Sequence, residues 1–293
     1  MNNGPPRIFD RAAYRARRAR ALVRGGDLFL AQDAAAHIVE RLGAINRRFT
    51  HGLDLHSRER VFPTLKGTAQ LWTRMGFFDD RPTLVADEEA LPFKEESFDL
   101  VTSVLSLHAV NDLPGTLLQI REALRPDGLF IGAMFAGETL HELRHAFASA
   151  EAETLGGASP RVAPFADVRE LGGLLQRAGF ALPVADIERV NVAYRDIATL
   201  FADMRALGET NVLQGRRSQL LGRRTLEAAL KEYARRFAAE DGRFTATYEI
   251  AFLTGWAPHE SQQKPLAPGS ARTRLADALG TSERSAGERA KPD

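Results

Sequence analysis

Apolar residues along this chain follow two periods in turn. From Ala31 to Ile45, the residues Ala35, Ile38, Leu42 and Ile45 recur at helical spacing. A short strand through Gly52-Leu53-Asp54-Leu55 follows. Residues 56–81 carry Leu65, Leu71, Trp72, Met75, Phe77 and Phe78 without a clean period. Thr83 to Ala86 reads as a strand ending at Asp87. Phe98 to Leu105 reads as a strand apolar enough to be buried on both faces, which predicts a parallel sheet. Asp112 is placed to cap a helix that has Pro114 in its first turn and carries Leu117, Leu118, Ile120 and Leu124. The turn signal Pro126-Asp127-Gly128 leads into a further buried strand, Leu129 to Phe135. Strand, helix, strand in this order predicts right-handed crossovers and an α/β fold.

Helices are predicted over 137–153 and 166–178, the second closed by Gly179. Strand patterns from Val184 to Tyr194 and from Phe244 to Gly255 flank a helical stretch at 195–240. That stretch carries Leu200, Phe201, Met204 and Leu207 on one stripe and Leu226, Leu230, Tyr233 and Phe237 on another. The organisation expected is a basic helical segment at 1–30, a main domain at 31–260 with a helical insertion at 195–240, and a disordered tail at 261–293.

Composition narrows the function classes. The 293 residues suffice for one large domain with an insertion. With 39 basic and 38 acidic residues the net charge is +1, so no global field favours nucleic acid or an anionic membrane. The chain has no cysteine, which excludes disulfides, thiol catalysis and cysteine-held zinc or iron–sulfur clusters. No apolar run is long enough to cross a bilayer. Arg7, Arg11, Arg15, Arg17, Arg18, Arg20 and Arg24 invite comparison with a transit peptide. Asp10 and the lack of serine favour a solvated helix lying on the domain or near a partner.

The chemistry-bearing segments are Val85-Ala86-Asp87-Glu88-Glu89 with Leu91-Pro92-Phe93, then Phe98-Asp99-Leu100-Val101, then Leu124-Arg125-Pro126-Asp127-Gly128. Further segments are Phe9-Asp10-Arg11, Ser106-Leu107-His108, Val110-Asn111-Asp112-Leu113-Pro114 and Gly132-Ala133-Met134-Phe135. Gly208-Glu209 with Asn211, and Gly255-Trp256 with His259-Glu260-Ser261-Gln262, complete the set. Through these residues the chain resembles the methyltransferase-like assembly factors of respiratory complex I, of the arginine-hydroxylase type, and their alphaproteobacterial relatives. The wider class is that of the S-adenosylmethionine (AdoMet) methyltransferases, including the malonyl-carrier enzymes. The resemblance implies a Rossmann-like class I methyltransferase fold: a seven-stranded, mostly parallel sheet with helices on both faces and an α-helical insertion before the last strand.

In such a sheet a ligand lies across the carboxyl ends of the strands. Asp54, Leu55 and His56 then border the methionine end of AdoMet, by resemblance. Asp87 is the carboxylate for the adenine amino group, Glu88 borders the same ring, and Ser106 and Leu107 lie near the methyl group. A capping carboxylate is the plainer alternative for Asp87. His108 either orients a substrate or serves as a hydrogen-bonded wall. The glycine-rich loop of the class is missing: Asp54-Leu55-His56-Ser57-Arg58-Glu59-Arg60 stands in its place, with no glycine between Gly52 and Gly67. AdoMet binding is therefore expected to be weak or lost, and glycines restored there are expected to improve it. Arg58 or Arg60 is the alternative grip for the methionine carboxylate. Asp79 or Asp80 is the only candidate for the ribose hydroxyls. No metal constellation occurs, and no residue is singled out as catalytic.

Three functions compete: an AdoMet-dependent methyltransferase, a non-enzymatic assembly factor, and an arginine hydroxylase acting on an iron–sulfur subunit of NADH:quinone oxidoreductase. The last two follow from the resemblance alone. The partner expected is a protein substrate or assembly intermediate. The compartment expected is the bacterial cytoplasm, peripheral to the inner membrane through that partner.

Overall fold

Alternation along the buried strands sorts their side chains onto two faces. In β5 (Leu124–Ala136), Leu129, Ile131, Ala133 and Phe135 enter one core, while Phe130 and Met134 enter the other. The computed structural model describes residues 7–77, 81–217, 219–263, 270 and 273–282. One compact unit spans Met1–His259; a second begins at Glu260 and contains the short helix Leu275–Leu279.

The first unit is built on seven strands: β1 (Phe49–Leu55), β2 (Ala69–Gly76), β3 (Leu84–Val85), β4 (Phe98–Val104), β5, β6 (Ala181–Tyr194) and β7 (Phe244–Trp256). Their order is β3-β2-β1-β4-β5-β7-β6. The first five run parallel, and β7 lies antiparallel to both β5 and β6. The strand order reverses between β1 and β4, the switch point where doubly wound sheets bind ligands.

Helices cover both faces. Helix α2 (Phe29–Gly43) shares one core with α5 (His141–Leu155), α7 (Ile197–Leu207) and α8 (Arg223–Phe237). Helices α4 (Leu113–Ala123) and α6 (Val168–Arg177) close the other. Asp112 caps α4 by accepting from the Gly115 amide at 2.9 Å, and Pro114 lies in its first turn. Helices α7 and α8 form the insertion between β6 and β7. The sequence left 56–81 unassigned; the structure places there a single-turn helix α3 (Phe62–Leu65), a 3-10 turn (Lys66–Thr68) and all of β2.

Helix α1 (Arg11–Arg24) departs from expectation. It is not simply a solvated helix, because Tyr14 and Arg18 are among the most buried side chains of the protein. With Phe9, Phe77, Ala109, Val212 and Leu213, Tyr14 forms a third apolar cluster at the carboxyl edge of the sheet.

Candidate functional site

The turn after β1 decides the geometry of this edge. His56 has φ of 59°, the left-handed conformation that a glycine adopts without cost. The missing-glycine turn is therefore made by a histidine, and its surroundings must hold it there. Its amide donates to the Met75 carbonyl at 2.8 Å, and its Nε2–H donates to the Ala86 carbonyl at 3.1 Å. The ring lies 4.3 Å from the Phe77 ring, centroid to centroid, and its carbonyl accepts from Arg18 Nη2 at 2.6 Å. Burial pushes the His56 imidazole below its ordinary pKa, with Arg18 and Arg11 adding to the effect and Glu88 opposing it.

Three arginines of α1 reach the same edge. Asp10 caps the helix, accepting from the Ala13 amide at 2.9 Å. Positions 11, 14, 15 and 18 then share a face. Arg11 binds Asp87 at 3.0 Å and pairs with the fully buried Glu88, while Arg15 pairs with Asp87. Burial acts to raise the Asp87 pKa, but Arg11, the Glu89 amide and Arg15 together hold it below the usual value.

All seven residues expected around AdoMet lie along this edge. Asp54 is buried with Arg74 Nε at 3.5 Å. Leu55 ends β1 and is fully buried. Ser106 Oγ lies 2.9 Å from Ser103 Oγ, and Leu107 opens a 3-10 turn, Leu107–Ala109. Their common cover is the chain itself: Tyr14, Arg18, His56 and Phe77 occupy the ground above the strand ends. Arg58, a candidate carboxylate grip, donates instead to the Leu207 carbonyl at 2.6 Å, and Arg60 to that of Gly26 at 2.8 Å. Asp79 and Asp80 lie outside the described residues.

A cavity remains beyond β4 and β5. Its volume is about 190 Å³, and Phe135, Leu143, Phe147, Phe165, Met204 and Tyr248 are among its apolar lining. His108, Glu209, Arg161, Arg205, Thr210 and Asn211 bring polarity and charge to it. His108 Nε2–H donates to Glu209 Oε2 at 2.9 Å, and the Tyr14 hydroxyl lies 3.5 Å from Glu209 Oε1. Burial acts to raise the Glu209 pKa, yet His108, Arg18 and Arg58 outweigh it and the carboxylate stays below its ordinary value. His108 packs edge-on to Phe135 and Phe165, and its Nδ1 has no hydrogen-bond partner among the described residues.

Glu209 follows the α7 cap at Gly208, whose φ is 76°. Arg58 and Arg18 crowd that glycine so closely that a Cβ there would lie 2.9 Å from Arg58 Nη2. The loop beyond is tied to the N-terminal segment by the Phe9–Leu213 bridge and to 160 by the Asn211 side chain, 2.8 Å from the Pro160 carbonyl. Sequence reasoning weighed His108 but missed Glu209 and Tyr14 as site residues; only the Gly208-Glu209 segment pointed there.

Comparison with known proteins decides the family. The arginine-hydroxylase NDUFAF5 of Danio rerio, a mitochondrial protein, is 40% identical over 262 residues, covering 85% of this chain and 81% of that one. The chain belongs to the NDUFAF5 family. A family model described as "Methyltransferase domain" matches residues 51–132, which run from β1 into β5. The malonyl-[acyl-carrier protein] O-methyltransferase of Laribacter hongkongensis is 36% identical over 193 residues, covering 66% of this chain and 62% of its own length. The solved YcgJ protein of Bacillus subtilis shares the fold, with a TM-score of 0.52 at 10% identity over 77% of this chain and 98% of that one. This NDUFAF5-family member therefore has the methyltransferase fold. Among its described residues no helix is long and apolar enough to cross a membrane.

Proposed function

We propose that this chain acts on an arginine side chain of a protein substrate, in the manner of the NDUFAF5 arginine hydroxylases, and that AdoMet binding at the strand ends is weak or lost. One observation carries the proposal: a partly buried, ionised carboxylate, Glu209, meets an aromatic-walled cavity. A guanidinium is planar, always charged and weakly hydrated, so it suits aromatic faces and one carboxylate better than an ammonium does. The cavity, about 190 Å³, is smaller than the roughly 300 Å³ at which pockets for whole small ligands begin. It matches a side chain rather than a nucleoside. His108 holds Glu209 in place by its 2.9 Å hydrogen bond and keeps a second ring nitrogen, Nδ1, with no partner among the described residues.

The substrate class that family membership favours is an iron–sulfur subunit of the respiratory NADH:quinone oxidoreductase, met in the bacterial cytoplasm at the inner membrane. Two measurements test the proposal. Calorimetric titration with AdoMet and its demethylated product should give weak binding or none. Co-expression with the candidate subunit, followed by mass spectrometry, should find one added oxygen on an arginine, and Glu209→Gln should abolish it. In that step a C–H bond becomes C–OH at the expense of molecular oxygen and a two-electron reductant supplied from outside this chain, and the second oxygen atom leaves as water. Tight AdoMet binding together with a methylated product would replace this proposal with methyl transfer.

A further inference from the structure

A second cavity, about 160 Å³, adjoins the first and shares Arg205 and Thr210 with it. Four arginines define it: Arg17, Arg20 and Arg24 of α1 and Arg205 of α7. The first three are spaced three and four residues apart and so stand on one helix face. Arg11, Arg15 and Arg216 each hold a carboxylate. The four around this cavity have no carboxylate partner among the described residues. Arg17 Nη1 donates to Thr210 Oγ1 at 2.8 Å, and its Nε is buried with no partner among the described residues. Burial, then repulsion from Arg20 and Arg216, holds the Arg17 pKa below its ordinary value.

Helix dipoles account for part of this cluster. Arg24 and Arg205 lie in the last turns of α1 and α7, where a cation complements the exposed carbonyls. Arg17 lies well short of the α1 terminus and gains little from it. Four guanidinium groups around a small concavity in a chain of net charge +1 form a local anionotropic patch, not the outcome of overall basicity.

We propose that this arginine collar docks an acidic segment of the protein substrate whose arginine enters the neighbouring cavity, an inference that rests on the function proposed above. Guanidinium groups bind carboxylates through paired hydrogen bonds, and the shared walls place the acidic residues only a few positions from the arginine. An anionic lipid surface is disfavoured, because Val23 is the only large apolar side chain of α1 that is exposed.

The test uses the full chain and two fluorescent peptides, both glutamate-rich, one with a central arginine and one with alanine in its place. Anisotropy should show both binding, with affinity falling as salt rises. The double variant Arg20→Glu/Arg205→Glu, at two exposed positions, should weaken both peptides by about tenfold or more. Arg17→Gln should weaken both less. Glu209→Gln should weaken only the arginine peptide. Unchanged peptide binding by the charge-reversed protein would overturn the collar, as would binding of inorganic phosphate or anionic vesicles in preference to the peptides. If the two peptides bind equally and Glu209→Gln changes neither, the collar stands and the arginine-directed function falls.

Discussion

His56 and Gly208 solve the same backbone problem at opposite cost. Both adopt positive φ, but Gly208 does so without a side chain while His56 relies on Phe77, Ala86 and Arg18 to hold it. Gly208→Ala should destabilise the fold by about 1–3 kcal/mol, the range for a strained left-handed residue, read from urea unfolding midpoints. The His56 imidazole adds a pH dependence. In the unfolded chain it takes a proton near its ordinary value of 6.5, and burial makes the folded protein refuse that proton until lower pH. Between those values the unfolded state binds more protons, so stability should fall on acidification from about pH 6.5. Asn tolerates left-handed φ and does not titrate, so His56→Asn should flatten that slope. Glu209, whose pKa is lowered from 4.5, adds a second loss that begins only below that value. An unchanged pH profile in the His56→Asn protein would assign the slope to other groups.

At the scale of elements, the buried strands and capped helices were legible because their signals are local. The apolar run that became β4 and the Asp112-Pro114 start of α4 need no distant partner to be read. β2 was not legible, since Leu71 is exposed and its burial follows no simple alternation. α1 could be read as a helix lying on the domain, but its buried face was not legible, for a different reason. Arginine is a surface residue by habit, and nothing near it in sequence announces the carboxylates it meets. Asp87 and Glu88 lie 76 and 77 residues from Arg11. The pairing makes a sharp prediction: Arg11→Met leaves Glu88 buried without its cation and should cost about 3–5 kcal/mol. Adding Glu88→Gln to that variant should recover much of the loss. A double mutant no more stable than Arg11→Met alone would show that Glu88 does not depend on this arginine.

Across the whole molecule, the fold was readable and the candidate residues could be gathered at the strand ends, but what lies over that edge was not legible. The rule that ligands lie at the carboxyl ends brought Asp54, His56, Asp87 and Ser106 to one place. It could not reveal that α1, far away in the chain, lies over them, or that Glu209, 101 residues from His108, completes the neighbouring cavity. This alters what repair of the missing-glycine loop should achieve. Glycines in place of His56 to Arg60 remove side chains at the turn, but they also delete Arg58, which ties down the end of α7. Tyr14 and Phe77 stay packed against each other beside the turn. Loop glycines alone should therefore leave AdoMet binding undetected and lower the melting temperature. Exchanging His56 for glycine while keeping Arg58, combined with Tyr14→Ala and Phe77→Ala, should open the edge. Ligand at about 100 times its Kd would then stabilise this variant by about 2.7 kcal/mol, a shift that thermal unfolding with and without AdoMet resolves. If the loop glycines alone restore binding, the obstacle is the turn itself and α1 is only a neighbour.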